Sequence, residues 1–455
     1  MAEGALAVEI VGRYPVSPPP NTVPPTSLPL TFFDIPWLFF SPTQPLFFYD
    51  YPYPTSHFLS TALPPLIHSL SLTLRHFFAL VATLVCPPHS SNPPFIVYDR
   101  SNFFSLVVAQ STADFHHLYS NHQRCVNDFY PLIPPLPSGE QEETQTLLLA
   151  AQITIFSNVG VCIGFAYRNV VADGRSFNSF IKTWASLFRD PSSCSINSSL
   201  LPFYDRTVIK DSYGLMGCSP FSWCSDSDLD SAMVRATFLM CPDDMEKIKG
   251  WIVGRCKVKN MDQPPRLTPS NLTWAYVWVC LIKSHEKVNG KLTGTNPSYF
   301  GFNAGGTTRL GYPVHAAYIG NLHWVARTMA TQSELSGEDG IIVAADAIGT
   351  ELRTWAKHFW KGQKTGYQYG GVLWVGFGAI GNRFSGSPKL DFYETDFGWG
   401  KARKIEEISM DNAKGKAVWF TQSRDVKGGI EVGLALPKPK MDAFTCFFTQ
   451  LLPHH

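Results

Sequence analysis

Runs of like charge are missing from this sequence. Lys and Arg total 37, Asp and Glu total 36, and the net charge is +1. No basic stretch exists to grip nucleic acid or an anionic lipid surface, so neither is expected as a partner. Long apolar runs are missing too. The densest, Phe77 to Cys86, is roughly half the ~20 residues a spanning helix needs, so no membrane segment is expected. The first residues carry an early acid, Glu3, and no apolar core. They do not read as a signal peptide, and a cytoplasmic location is expected. The sequons at Asn197 and Asn271 then carry little weight, because glycosylation requires secretion. The ten cysteines include no C-x-x-C pair, and no Cys/His cluster has zinc-ligand spacing. Reduced thiols and no metal are the expectation. No G-x-S-x-G elbow and no P-loop occurs.

What is present is a globular composition: 45% hydrophobic residues, 33 Phe and 35 Pro. Single cores stop growing near about 250–300 residues, so 455 residues imply two domains. The first sixty residues are rich in Pro and aromatics with little helical period. They read as strand and extended chain on a domain surface. From Leu66 the period changes, with Leu66, Leu70, Leu74, Phe77 and Phe78 on one face of a helix entered through Pro64 and Pro65. Residues 147–167 read as two strands around a tight turn at Ser157–Gly160. Phe177, Phe180, Ile181, Trp184, Leu187 and Phe188 then mark an amphipathic helix, which leaves Arg168–Asp173 in a loop.

Residues 191–235, rich in Ser, Asp and Cys, read as a crossover between a domain at 1–190 and a second at 236–455. A segment near 370–400 is expected to join the first domain's sheet. The chain closes with an alternating strand at Ile430–Leu436 and a helix carrying Met441, Phe444, Phe447, Phe448 and Leu451. The glycines of Gly376-Phe377-Gly378-Ala379-Ile380-Gly381 match G-x-G-x-x-G after the apolar stretch Gly371–Val375. A dinucleotide site would need a helix next, and Asn382-Arg383-Phe384-Ser385-Gly386-Ser387-Pro388 cannot propagate one.

Two motifs stand out. Near the C-terminus, Asp396-Phe397-Gly398-Trp399-Gly400 reads D-F-G-W-G. In the first half, Asn169-Val170-Val171-Ala172-Asp173-Gly174 matches H-x-x-x-D-G except at its first position. With Thr31-Phe32-Phe33-Asp34-Ile35-Pro36-Trp37, Tyr318-Ile319-Gly320-Asn321, Ser387-Pro388-Lys389, Ser423-Arg424-Asp425 and Gly428–Val432, the chain resembles, over nearly its whole length, the plant BAHD acyltransferases. Its N-terminal segment is similar to the subgroup that malonylates phenolic glucosides and anthocyanins.

The resemblance implies an α/β fold with mixed sheets: two chloramphenicol-acetyltransferase-like domains with a solvent channel between them. It also implies a monomer acting on a small plant metabolite. No resident cofactor is expected, and acyl-CoA, malonyl-CoA or acetyl-CoA, is the co-substrate. In the family the histidine of the first motif removes a proton from the acceptor hydroxyl. The aspartate, here Asp173, points away into a salt bridge with an arginine, for which Arg309 is the candidate. Asp396, Gly398, Trp399 and Gly400 support the CoA side of the channel without doing chemistry.

Position 169 is where this chain departs. Imidazole can accept a proton near neutral pH. An amide hydrogen-bonds but does not titrate there. Losing a positioned general base typically costs about 10²–10⁴-fold in rate. Other departures surround it. Arg168 stands where a second histidine is common. Gly305, Thr307 and Gly311 replace two acids and one arginine of the usual 303–311 text, and Ala79–Ala82 replaces Pro-Leu-Ala-Gly.

Arg175 could pair bidentately with a malonyl carboxylate or be a solvated first-turn side chain. Arg168, His315, Tyr318, Asn321 and His323 are channel candidates. His315 and His323 are the histidines that could replace the missing base, and packed or solvated imidazoles are the plain alternative. Three functions fit these residues. One is acyl transfer to a hydroxyl or amine. The second is a repurposed catalyst that promotes elimination or intramolecular cyclisation of an acylated intermediate. The third is a non-catalytic binding protein or scaffold.

Overall fold

The computed structural model describes residues 8–87, 94–136, 145–191, 201–210, 233–260, 267–290, 296–305, 310–364, 382–409, 411 and 417–450. Among these are a six-stranded, a seven-stranded and a four-stranded sheet. The six-stranded sheet runs Val8–Val16, Phe104–Ser111, Leu149–Phe156, Gly160–Tyr167, Pro45–Asp50, Lys404–Glu407. The seven-stranded sheet runs His323–Thr331, Pro297–Gly305, Asn382–Gly386, Ala417–Gln422, Ile430–Pro437, Met233–Met240, Arg124–Cys125. Each of these two larger sheets therefore takes its last strand from the other half of the chain.

The exchanged strand of the C-terminal half, Lys404–Glu407, lies just beyond the 370–400 segment expected. Asn382–Gly386, inside that segment, stays in the seven-stranded sheet. The reverse exchange, Arg124–Cys125, has only two residues and no periodicity to announce it. A buried charge cluster ties the exchanged strands together. Arg124 and Arg235 of one sheet donate to Glu406 of the other at 2.8 and 2.9 Å. Breaking such a pair leaves a charge uncompensated in the core.

The pair Leu149–Phe156 and Gly160–Tyr167 is antiparallel and fully buried. It turns through Asn158 at a φ of 63°, a left-handed conformation Asn tolerates. The following helix, Gly174–Arg189, starts where the sequence stops alternating. Asp173 caps it, Oδ1 accepting from the Ser176 N–H at 2.8 Å, which satisfies one orphan donor of the first turn. Phe177, Phe180, Ile181 and Trp184 form its inner face, all 1% exposed or less. Tyr167 and Phe177 stack with centroids 4.0 Å apart. Trp184 donates from Nε1 to the Leu66 carbonyl at 3.1 Å, joining this helix to Leu63–His76. Trp184→Ala would cost about 3–5 kcal/mol.

The N-terminal segment differs from expectation. Pro45–Asp50 is an inner strand, and Phe47, Phe48 and Tyr49 are at most 1% exposed. Aromatic richness here reflects burial on both faces, which removes the alternation that marks a half-exposed strand. The residues just before it bridge the molecule. Phe32 and Phe33 belong to the second half's core, Trp37 and Leu38 to the first half's. Met233–Met240 begins inside the 191–235 interval, so the crossover ends earlier than its composition suggested. Asn271 is fully buried in the helix Pro269–Asn289, donating to the Ala345 carbonyl at 3.1 Å, so this sequon is closed to glycosylation. Gly371–Gly381 and Asn197 lie outside the described residues.

Candidate active site

Three stretches meet where the two cores adjoin: Thr31–Trp37, Arg168–Ser176 and Ala316–His323. Asp34, fully buried, organises them. Its Oδ2 accepts from the Thr31 N–H at 2.8 Å, the Thr31 hydroxyl at 2.7 Å and Arg206 Nη1 at 3.1 Å. Its Oδ1 accepts from the Asn321 N–H at 3.0 Å and Asn321 Nδ2 at 2.9 Å. Asn321 Nδ2 also donates to the Asn169 carbonyl at 2.7 Å. The backbone of Asn169 is thus fixed from the opposite half of the molecule.

The side chain of Asn169 is fixed from its own half. Thr43 pairs with Tyr167 through both backbone hydrogen bonds, 2.8 and 3.0 Å. This extends the pairing of the neighbouring strands to the mouth of the loop. The Thr43 hydroxyl then reaches Asn169 and donates to Oδ1 at 2.8 Å. With that oxygen engaged, the amide N–H₂ is the group Asn169 has left to offer. From Arg168 to Asp173 every residue is buried except Asn169, which is half-buried. The loop therefore presents one partly accessible side chain, Asn169, whose remaining group is a hydrogen-bond donor.

Asp173 faces the other way. Burial alone would raise its carboxyl. His323 Nδ1 at 3.9 Å, Arg175 Nη2 at 4.0 Å and the Ser176 N–H outweigh burial and hold it at about 2. Arg309, the expected partner, lies outside the described residues. His323 is the first residue of its strand, paired with Gly305. Its ring lies 4.5 Å from that of Trp37 and its side chain is 17% exposed.

The structure brings Asn169, Asp173, Asn321 and His323 together. Tyr318 is a brace beside them. It is buried, and its hydroxyl accepts from Arg206 Nη1 at 3.0 Å. Gly320 sits at a φ of 138°, and a Cβ there would lie 2.1 Å from Arg206 Nη1. Only glycine lets the backbone and the buried guanidinium approach this closely. Arg175 donates to the Ala316 and Tyr318 carbonyls at 2.7 and 2.8 Å. Its guanidinium, about a third exposed, links the two halves through these carbonyls.

Arg168 lies away from this group. It donates from Nε to the Leu147 carbonyl at 3.3 Å, and its charge partly offsets the burial that pushes the Cys86 thiol up. His315 is exposed, stacked on Phe203 at 4.9 Å, with Nδ1 accepting from the Ala317 N–H at 3.1 Å. It serves its own turn.

The D-F-G-W-G loop is built differently. Asp396 Oδ1 accepts from the N–H groups of Gly398 and Gly400 at 2.7 and 2.9 Å, with φ of 85° and 87° at the two glycines. Phe397 packs edge-on against Trp184 and Tyr49 at 5.0 and 5.7 Å, and Trp399 against Tyr51 at 5.5 Å. The loop anchors the C-terminal half on the aromatic face of the helix that Asp173 caps. Asp34, Thr43, Trp37 and Arg206 carry much of the site and were not singled out in the sequence. Asp34 and Trp37 sit inside a family-like segment, a usable signal, whereas nothing around Arg206 marks it.

This fold and site are those of an acyl-transferring enzyme family. The model of the Transferase family matches residues 6–450, and the chain belongs to that family, the BAHD acyltransferases. It is similar to the malonyl-coenzyme:anthocyanin 5-O-glucoside-6'''-O-malonyltransferase of Salvia splendens, 33% identical over 94% of this chain and 92% of that protein. It is also similar to phenolic glucoside malonyltransferase 1 of Nicotiana tabacum, 32% identical over 97% and 98%. The fold matches the crystal structure of vinorine synthase with a TM-score of 0.66, 19% identity and 98% coverage of both chains.

Proposed function

We propose that this protein transfers an acyl group from an acyl-CoA to a hydroxyl or amine of a small plant metabolite. Malonyl-CoA is the first donor to test, because relatives that are about a third identical are named malonyltransferases. The observation that carries the reading is the preserved scaffold around position 169. The loop backbone, the Asp173 cap and the Asp34–Asn321 brace hold one another in place, the Asp396–Gly400 loop packs on the same helix, and the half-buried group at 169 is a donor.

The chemistry follows from that group. The Asn169 N–H₂ can hold the thioester carbonyl oxygen as negative charge develops on it, the role of an oxyanion-hole donor. It cannot take the acceptor's proton. A neutral amine attacks without prior deprotonation and suffers least. Incubating the protein with malonyl-CoA or acetyl-CoA and a panel of phenolic glucosides, alkaloid alcohols and amines should give CoA thiol and a product heavier by the acyl group.

The anchored amide also favours a second reading. A donor without a base suits stabilisation of a departing carboxylate, so the site could promote elimination or intramolecular displacement in an already acylated compound. Proximity alone can lower such a barrier by several kcal/mol, up to about 7–11 in ideal cases. Turnover of an acylated substrate, with no CoA release from any acceptor pair, would establish this reading in place of the first.

A further inference from the structure

We propose that His323, paired with Asp173 and packed on Trp37, receives the acceptor proton that the side chain at position 169 cannot. The inference rests on the acyl-transfer reading above.

Four observations converge on this imidazole. His323 lies beside the altered loop, 3.9 Å from Asp173. Asn321, two residues earlier, hydrogen-bonds the Asn169 carbonyl. The side chain is 17% exposed, neither sealed in the core nor free in solvent. Trp37 covers it at 4.5 Å, and the buried Trp37 Nε1–H has no acceptor among the described residues. An unpartnered buried donor needs a partner, and a ligand atom or an ordered water beside His323 would supply one.

The electrostatics suit a proton acceptor. Among the described residues, the charged groups facing the pair are Asp173 and Arg175. Two carbonyls hold Arg175, and its Nη2 lies 4.0 Å from Asp173. At 3.9 Å the carboxylate is beyond a direct hydrogen bond, and it is the acidic group beside the ring. It lies on the Nδ1 side, which leaves Nε2 for the substrate. A carboxylate that orients a histidine and steadies its charged form is a recurrent catalytic pair. Here the cap aspartate takes that part.

The step balances. The acceptor oxygen forms a bond to the thioester carbonyl carbon, and its proton passes to His323. The Asn169 N–H₂ holds the carbonyl oxygen. When the carbon–sulfur bond breaks, the electron pair stays on sulfur, and the proton on His323 passes to the thiolate to give CoA thiol and neutral imidazole.

The test uses the full chain with a hydroxyl and an amine acceptor. His323→Gln should lower kcat by about 10²-fold or more with the hydroxyl and clearly less with the amine. Its KM for acyl-CoA and its melting temperature should stay near the wild-type values. Added imidazole should restore part of the turnover of His323→Ala, which a merely structural role would not allow. Asp173→Asn keeps a capping oxygen for Ser176 and removes the charge, so it should lower kcat in the same direction. A His323→Gln protein within about threefold of wild type would overturn the inference and leave acyl transfer standing. A wild type silent with every acceptor would overturn both.

Discussion

At Asp173 and at Asp396 a carboxylate accepts N–H bonds from residues just ahead of it, and each aspartate shapes a motif loop. The loops differ in what they present. The Asp396 loop turns Phe397 and Trp399 into an aromatic wall of the other half, and every residue of its motif is kept. The loop before Asp173 buries Val170, Val171 and Ala172 and turns one side chain, Asn169, outward. The comparison separates two demands on the same chain. Packing positions tolerate little, because each is held by several partners. Asn169 is held at its carbonyl and at Oδ1, which leaves its amide N–H₂ as the group the loop presents.

The sharpest way to break the comparison is to remove the carboxylate that fixes the first loop from across the molecule. Asp34→Ala deletes acceptors for Thr31, Asn321 and Arg206 and leaves a buried guanidinium unpaired. A loss of about 3–5 kcal/mol is expected, read as a melting temperature lowered by about 10 °C together with loss of activity.

A smaller effect should come from Asp173. Its carboxyl is depressed from 3.8 to about 2 in the folded protein. A depressed carboxyl contributes stability above its unfolded value and loses it as pH falls through the folded one. The contribution, about 2 kcal/mol, should be complete above pH 4 and fade towards pH 2. Chemical denaturation of wild type and Asp173→Asn should differ above pH 4 and converge below it. A constant gap across this range would mean that the His323 and Arg175 charges do not act on Asp173.

The smallest effect tests the second loop. A Cβ on Gly400 meets open space, so Gly400→Ala costs only the strain of a positive φ, about 1–2 kcal/mol. Stability should fall by that amount and turnover at saturating substrate should hold. A collapse of turnover would place the loop at the reacting atoms.

Much of this was legible in the residues. The strand, loop and helix around Arg168–Asp173 follow from a change of period, and the core helices begin and end near their expected bounds. What was not legible depends on contacts distant in sequence. Pro45–Asp50 hides because burial on both faces erases alternation. Arg124–Cys125 is too short to carry a period. Asp34 matters through partners up to 287 positions away, and Arg206 lies in a stretch whose composition suggests a linker. His315 and His323 look alike in sequence, and only the fold sets one beside Asp173 and the other on an exposed turn.

The most direct test of the account follows CoA thiol release from malonyl-CoA and acetyl-CoA by wild type and Asn169→His, side by side, with the same hydroxyl acceptors. The account predicts that wild type turns over and that the histidine variant gains less than about tenfold, because the proton already has a route. Turnover by the histidine variant alone would contradict it. The scaffold would then be sound, and the native protein would act on compounds that are already acylated.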